Sequence, residues 1–164
     1  MIILGIDPGL ATVGFGVIES EKGRMRPVDY GVILTPKEAA LPDRLMMIES
    51  SVIKLIERFS PSEIALEELF FNNNQKTAIT VAEARGVILL TAKKYCSSLY
   101  EYTPLQIKQA LTGYGRADKH QIQEMVKRLL NLNKIPRPDD AADALAVALT
   151  HAQTQRFSSA FGIK

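Results

Sequence analysis

The first residues of the chain constrain its fold most strongly. Positions 2–6, Ile-Ile-Leu-Gly-Ile, carry no polar side chain and lead directly to Asp7, after which Pro8 and Gly9 break the segment. An uninterrupted run of this kind, bounded by turn residues, is typical of a strand buried on both faces. The fold must therefore cover both sides of a sheet, and a carboxylate lies at the end of its first strand.

Strand patterns come first along the chain and then alternate with helices. A second strand is predicted from Val13 to Glu19, and the turn at 21–24 leads into a third that ends at Leu34. Two short strands follow, at 63–69 and 99–103. This order predicts an α/β domain whose mixed five-stranded sheet begins with three antiparallel strands and is flanked by helices.

Five helices are predicted between and after these strands. Apolar residues recur at three- and four-residue spacing over 41–59, and Ser60-Pro61 ends that helix. The segment 78–95 is apolar nearly all round, so we expect it to be buried in the core or against a second subunit. Asp118 and Gln121 form a capping-box pattern for a helix reaching residue 130. The last helix is predicted from Asp139 to about residue 155.

A further helix is predicted to begin at Pro104, a favoured first helical residue. We expect one domain over residues 1–155 and a frayed tail over 156–164, where periodicity is lost.

Composition places the protein in a reducing compartment. A single cysteine, Cys96, cannot close an internal disulfide. The N-terminus lacks the basic segment of a signal peptide, and the longest apolar stretch, 86–92, is too short to span a membrane. We therefore expect a cytoplasmic, nucleoid-associated protein with no membrane partner.

Charge is distributed unevenly along the chain. Residues 106–137 contain seven basic and two acidic side chains, whereas residues 38–68 contain seven acidic and three basic ones. A basic C-terminal half favours a polyanionic partner, although solvated helix faces produce the same bias.

Four carboxylates are the candidate catalytic groups. Asp7 and Glu67 each end a short apolar strand, and Asp140 and Asp143 share one face of the last helix. Each has an ordinary alternative: Asp-Pro-Gly is a common turn, and aspartates at a helix start serve as caps. Alternation does not decide between Glu67 and Glu68 as the inward residue.

Taken together, these acids indicate a metal centre. Clustered carboxylates repel one another unless protons or cations neutralise them. Two Mg²⁺ ions would do so and would clamp a phosphodiester for attack by water. Neither histidine competes as a ligand, because His120 lies in a basic helix start and His151 lies about 12 Å along the helix from Asp143.

The order of these motifs resembles the RuvC-type crossover junction endodeoxyribonucleases, the Holliday junction resolvases of the RNase H-like, retroviral-integrase-type superfamily. The resemblance covers about residues 1–152. Its pieces are Gly-Ile-Asp-Pro-Gly at 5–9, Glu-Glu-Leu-Phe-Phe at 67–71, Ala-Arg-Gly-Val at 84–87, Thr-Pro at 103–104, Lys108, Gly-Arg-Ala-Asp-Lys at 115–119, Asp-Ala-Ala-Asp-Ala-Leu-Ala at 140–146 and His151.

The resemblance implies a structure-selective endonuclease that resolves four-way DNA junctions by symmetric, paired nicks in homologous recombination and repair. It implies a homodimer, a branch-migration complex of the RuvA/RuvB type as partner, and two Mg²⁺ ions per centre, with Mn²⁺ able to substitute. It selects Asp7, Glu67, Asp140 and Asp143 as catalytic metal ligands, with Asp7 bridging the ions.

The resemblance also implies four DNA contacts. Phe70 would stack on an unstacked base, and Lys108 and Lys119 would lie near the scissile phosphate. Arg116 belongs to the same matched segment as Lys119.

Two positions depart from the family pattern. Asn73 stands where many members have lysine, which puts one phosphate contact in doubt, and Ala82 stands where glycine is common, which bears on close helix packing.

Other functions remain open on the residues alone. An actin-like ATPase would need a second, similar domain. A nuclease acting on another nucleic acid and a non-catalytic junction-binding module share the expected fold.

Overall fold

The structure, a computed structural model, describes residues 1–69, 75–96, 98–154 and 161–163. The strands are β1 (Ile2–Asp7), β2 (Thr12–Glu21), β3 (Arg24–Leu34), β4 (Glu63–Glu67) and β5 (Leu99–Tyr102). The helices are α1 (Leu41–Phe59), α2 (Gln75–Tyr95), α3 (Pro104–Thr112), α4 (Lys119–Leu129) and α5 (Asp139–Thr154).

The five strands form one mixed sheet in the order β3-β2-β1-β4-β5. The first three are antiparallel, and β4 and β5 continue from β1 in parallel. Since β1 is central, both of its faces are covered, which explains its uninterrupted apolar sequence. The predicted sheet is confirmed in strand number and in its antiparallel start.

Each face of the sheet has its own apolar core. On one face, Leu4 and Leu66 pack with Ile48 of α1 and Ile88 of α2. On the other, the core is formed with α3, α4 and α5 and includes Ile3, Ala65 and Leu145. Because side chains alternate along a strand, Asp7 shares its face with Ile3 and Gly5, on the α5 side.

Helix α5 lies unusually close to the sheet because glycine faces it from β1 and β2. A Cβ atom at Gly5 would stand 2.2 Å from the carbonyl oxygen of Ala144 and 2.7 Å from the backbone nitrogen of Ala148. A Cβ atom at Gly14 would stand 2.0 Å from the carbonyl oxygen of Asp140. These strand positions must lack a side chain for the helix to reach its place.

Local signals set most helix ends where they were expected. Helix α1 has the predicted bounds, and Pro104 opens α3. Asp118 and Gln121 form the predicted capping box at the start of α4. Helix α2 begins at Gln75, three residues before the predicted start, because the apolar pattern that guided the prediction begins only at Ala78.

Part of the C-terminal segment differs from the predicted frayed tail. The amide of Glu101 donates to the carbonyl of Phe161 at 3.0 Å, and the amide of Ile163 donates to the carbonyl of Leu99 at 3.0 Å. The ring of Phe161 also lies 4.9 Å from that of Tyr102. Residues 161–163 therefore pair with β5, since its outer edge offers unpaired backbone groups.

Among the helices that the structure describes, none has the length and apolar character that a membrane span needs.

Gly5→Ala tests the close approach of α5. The added methyl must displace backbone atoms of α5, so we expect a loss of about 1–3 kcal/mol in the free energy of unfolding. Thermal denaturation should show a lower Tm, by roughly 2–4 °C per kcal/mol in a domain of this size. Gly162→Ala is the control, because nothing lies within 4 Å of a Cβ there. An unchanged Tm for Gly5→Ala would contradict this packing.

Candidate active site

Asp7 and Glu67 lie side by side because their strands are parallel neighbours. The register pairs Ile6 with Leu66, and the next residue on each strand is the carboxylate. Neighbouring strands lie about 4.8 Å apart. Glu67 shares the α5 face with Asp7, whereas Glu68 is exposed. The expectation that Glu67 points inward therefore agrees with the structure.

Helix α5 adds Asp140 and Asp143 to this edge of the sheet. Gly14 is paired with Asp7 across β1 and β2, and the backbone of Asp140 lies directly over Gly14. Asp143 is one helical turn further along the same face. The missing side chain at Gly14 thus brings the first turn of α5 against the strand that carries Asp7.

We define the carboxylate cluster as Asp7, Glu67, Asp140 and Asp143; burial and repulsion raise the pKa values of Asp7, Glu67 and Asp143. Burial first, and then the neighbouring carboxylates, raise the pKa of Asp7 to about 8. Burial and the charge of Asp143 raise the pKa of Glu67 to about 7. Burial likewise raises the pKa of Asp143, with Lys119 acting against it. The cluster therefore holds more negative charge than its surroundings stabilise.

Lys119 supplies the nearest compensating charge. Its Nζ atom lies 3.0 Å from Asp143 and 3.4 Å from Asp139. Although desolvation acts to lower the pKa of Lys119, these two carboxylates raise it above its ordinary value. Because Lys119 is the first residue of α4 after the Asp118 cap, the capping box sets where this ammonium group enters the site.

A pocket opens beside the cluster, on the side of α3 and α4. Its volume is about 210 Å³, which corresponds to roughly seven water molecules at about 30 Å³ each. The lining residues are Glu67, Pro104, Ile107, Lys108, Lys119, Ile122, Asp143 and Ala146. It thus combines two carboxylates and two ammonium groups between apolar walls.

The donor set of the cluster fits hard divalent cations. All four side chains offer oxygen, the donor that Mg²⁺ takes in proteins, and the raised pKa values of Asp7 and Glu67 mark a demand for positive charge. Over the part of the chain that the structure describes, no three carboxylate, imidazole or thiol groups form a ready-made shell for one ion. The ion pairs of Lys119 with Asp143 and Asp139 occupy part of this acidic surface.

The other predicted residues fall in different places. Lys108 and Lys119 line the pocket, whereas Arg116 is exposed and does not. Phe70 and Asn73 lie outside the described residues. His151 is fully buried and bonds to Glu63, at the opposite end of β4 from Glu67.

Asp139 is a residue that sequence reasoning treated only as a cap. It pairs with both Lys119 and Arg137. Lys119 and a hydrogen bond from Gln123 lower the pKa of Asp139, although desolvation opposes them. No local sequence signal identifies the contacts with Lys119 and Gln123, because both residues lie on another helix.

Comparison with known proteins gives concordant matches over the whole chain. A family model described as Crossover junction endodeoxyribonuclease RuvC matches residues 3–151. A protein of that name from Alkaliphilus oremlandii is 56% identical over 164 residues, covering 100% of both chains.

Solved structures show the same likeness. Thermus thermophilus RuvC superposes with a TM-score of 0.91 at 38% identity, covering 99% of this chain and 100% of that chain. The structure of T. thermophilus RuvC in complex with Holliday junction substrate gives a TM-score of 0.89 at 34% identity, with the same coverage. The expected RNase H-like fold class is thereby confirmed.

Asp7→Asn tests the electrostatic state of the cluster without any assay of activity. The folded-state pKa of Asp7, about 8, lies well above the ordinary value of an aspartate, so ionisation destabilises the folded, cation-free protein increasingly from pH 4 to pH 8. Asparagine cannot ionise. We therefore expect equal Tm values near pH 4 and a higher Tm for the variant at pH 8. The higher Tm should correspond to a gain on the order of 2 kcal/mol in the free energy of unfolding.

The control for this comparison is Glu68→Gln, which removes an exposed carboxylate next to the cluster. It should match wild type at both pH values. Added Mg²⁺ should raise the Tm of wild type and of Glu68→Gln but not that of Asp7→Asn. If Asp7→Asn is no more stable than wild type at pH 8, charge repulsion within the cluster is contradicted.

Proposed function

The chain belongs to the RuvC family of crossover junction endodeoxyribonucleases, and from this premise we propose that it is a structure-selective endonuclease that cuts Holliday junctions. The observation that carries the proposal is the carboxylate cluster beside a pocket containing Lys108 and Lys119. Acids at the strand ends suit cation binding, and lysines a few ångströms away suit a phosphate. Both kinds of group are expected at a site that binds and cuts the sugar–phosphate backbone of DNA.

Each side chain has a defined task in this proposal. Asp7, central in the cluster, would be shared between two Mg²⁺ ions, with Glu67, Asp140 and Asp143 completing their shells. When bound, the two ions supply an activated water and stabilise charge on the reacting phosphate. Lys119 would bind a phosphate oxygen from the α4 side of the pocket, in place of its ion pairs with Asp143 and Asp139. Lys108 binds the phosphate from the α3 side of the pocket.

The overall reaction is hydrolysis of one phosphodiester bond in each of two strands. Water adds to phosphorus, one phosphorus–oxygen bond breaks, and the ends are left as a phosphate monoester and a hydroxyl. In recombination and repair, two such cuts at symmetric positions separate the joined duplexes. We also propose a cytoplasmic location beside the DNA, and a branch-migration motor as partner, as the family resemblance implies.

A homodimer would place two centres on the two-fold-symmetric junction. We assign its interface to the exposed face of α2, defined as Ile79, Ala82, Gly86 and Leu90. Ile79 and Leu90 are 63% and 59% exposed, whereas Ala84 and Ile88 on the opposite face are buried in the core. The nearly all-apolar pattern of this helix thus corresponds to one buried and one exposed apolar face.

Gly86 supports this assignment. It interrupts a helix interior, where glycine costs about 1 kcal/mol relative to alanine, yet nothing lies within 4 Å of a Cβ built there. No contact within the described chain accounts for that cost, and close approach by a second α2 would. Ala82 is exposed on the same face, so its departure from the family glycine concerns the partner's surface.

A nicking assay with Mg²⁺ on four-way DNA junctions, linear duplex and RNA–DNA hybrid tests the activity. We expect cleavage of the junction alone. Asp7→Asn should lower cleavage at least about 1,000-fold and keep junction binding, and Glu68→Gln should cut like wild type. Preferred cleavage of the hybrid would indicate another RNase H-like nuclease. Binding without cleavage by the wild type would indicate a junction-binding module.

Leu90→Glu tests the dimer. A charge on the exposed face of α2 should not disturb the fold but should separate the subunits. Light scattering should give 18.1 kDa for the variant and twice that mass for wild type. The control is Val28→Glu, which places the same charge at an exposed residue of β3 and should remain dimeric. A dimeric Leu90→Glu would contradict this interface.

A further inference from the structure

The end of α5 remote from the carboxylate cluster is held by a buried hydrogen-bond network that the proposed reaction does not use. We propose that this network, defined as Glu63, Tyr102, His151 and Thr154, positions α5 along its own axis and thereby aligns Asp140 and Asp143 with Asp7 and Glu67. The proposal rests on the proposed function, since it assigns positioning residues to that cluster. None of the four network residues lines the pocket.

The network joins α5 to two strands through short, directional bonds. His151 Nε2 lies 2.6 Å from Glu63 Oε2, and His151 Nδ1 lies 2.7 Å from the hydroxyl of Tyr102. Thr154 Oγ1 lies 3.0 Å from the same hydroxyl. The ring of Tyr100 covers the imidazole at a centroid distance of 4.3 Å. His151 and Tyr102 are both fully buried.

The chemistry of these groups fixes the tautomer of His151. Glu63 only accepts as a carboxylate, so Nε2 of His151 carries the hydrogen, and Nδ1 accepts from the Tyr102 hydroxyl. Thr154 can then donate to the oxygen of Tyr102. Burial lowers the pKa of His151 despite the carboxylate beside it, in keeping with a neutral ring. Each of the two bonds of His151 therefore has one defined donor and one defined acceptor, whereas the Thr154 hydroxyl also has the carbonyl of Thr150 within reach, at 2.8 Å.

The glycine positions in the contact between α5 and the sheet do not define the axial position of the helix directionally. Gly5, Gly14 and Gly16 present only backbone to α5. A helix that slides along such a surface meets no side chain from those positions. Hydrogen bonds, in contrast, weaken steeply when their distance and angle change. The network thus adds directional hydrogen bonds to a contact otherwise made of apolar packing and close backbone approach.

The sheet connects the two strand residues of the network, Glu63 and Tyr102, to the carboxylate cluster. Glu63 is the first residue of β4 and Glu67 is its last, while Tyr102 is the register partner of Glu67 on β5. On the helix, His151 follows Asp143 by eight residues, or about 12 Å of rise. Since a helix is stiff along its axis, an axial shift at His151 reaches Asp143 almost undiminished. The network therefore sets the spacing between Glu67 and Asp143.

Tyr102→Phe removes one hydroxyl at constant shape and leaves the proposed ligands untouched. We expect a folded protein with a somewhat lower Tm, roughly 10-fold weaker Mn²⁺ binding by electron paramagnetic resonance, and a roughly 10-fold lower kcat on junctions. Junction affinity should be unchanged. In amide NMR spectra without metal, residues 140–143 should shift. The separate variant Glu63→Gln retains an acceptor for Nε2, so it should keep most of the wild-type Mn²⁺ affinity and kcat.

Val147→Ala is the matched control, a buried residue of α5 whose methyl groups make no hydrogen bond. It should lower the Tm by at least as much, yet keep Mn²⁺ affinity, kcat and the amide shifts of residues 140–143. The positioning role is wrong if Tyr102→Phe behaves like Val147→Ala in these three measurements. If instead the amides shift but wild type neither binds Mn²⁺ nor cuts junctions, the proposed function fails and the positioning of α5 stands.

Discussion

The close contact of α5 with the glycines of β1 and β2 is the constraint on which the rest of the structure depends. Backbone lies on backbone where Gly5 meets Ala144 and where Gly14 meets Asp140. That proximity closes the core on one face of the sheet and, at the helix start, carries two aspartates to the strand that ends in Asp7. One packing relation thus supplies both the core and the site.

The same relation forces carboxylates together, at a cost in stability. Burial and repulsion raise the pKa values of Asp7 and Glu67, although the ammonium group of Lys119, which forms ion pairs with Asp143 and Asp139, acts to lower both. Strain of this kind is typical of functional sites, where stability is exchanged for reactivity. Divalent cations bound at this cluster would relieve the repulsion, so their binding would be coupled to folding.

Local patterns predicted most of the fold, because they depend on neighbours in sequence. The period of α1, the proline that opens α3 and the capping box at Asp118 all act within a few residues. The candidate ligands were identifiable as acids at strand ends, although alternation left Glu67 and Glu68 undecided; the register of β4 places Glu67 on the α5 face. Contacts across the chain were not predictable. Glu63 meets His151 across 88 residues, and Lys119 meets Asp143 across 24. The packing role of Gly14 likewise becomes visible only with α5 in place.

The central claim is that the four carboxylates hold paired cations with Asp7 between them. Anomalous diffraction from crystals of the protein soaked in Mn²⁺ tests it most directly. The account predicts two peaks roughly 4 Å apart, both within ligand distance of Asp7, with Lys119 withdrawn from Asp143. Manganese bound away from Asp7, or no manganese at the cluster at saturating concentration, would contradict it.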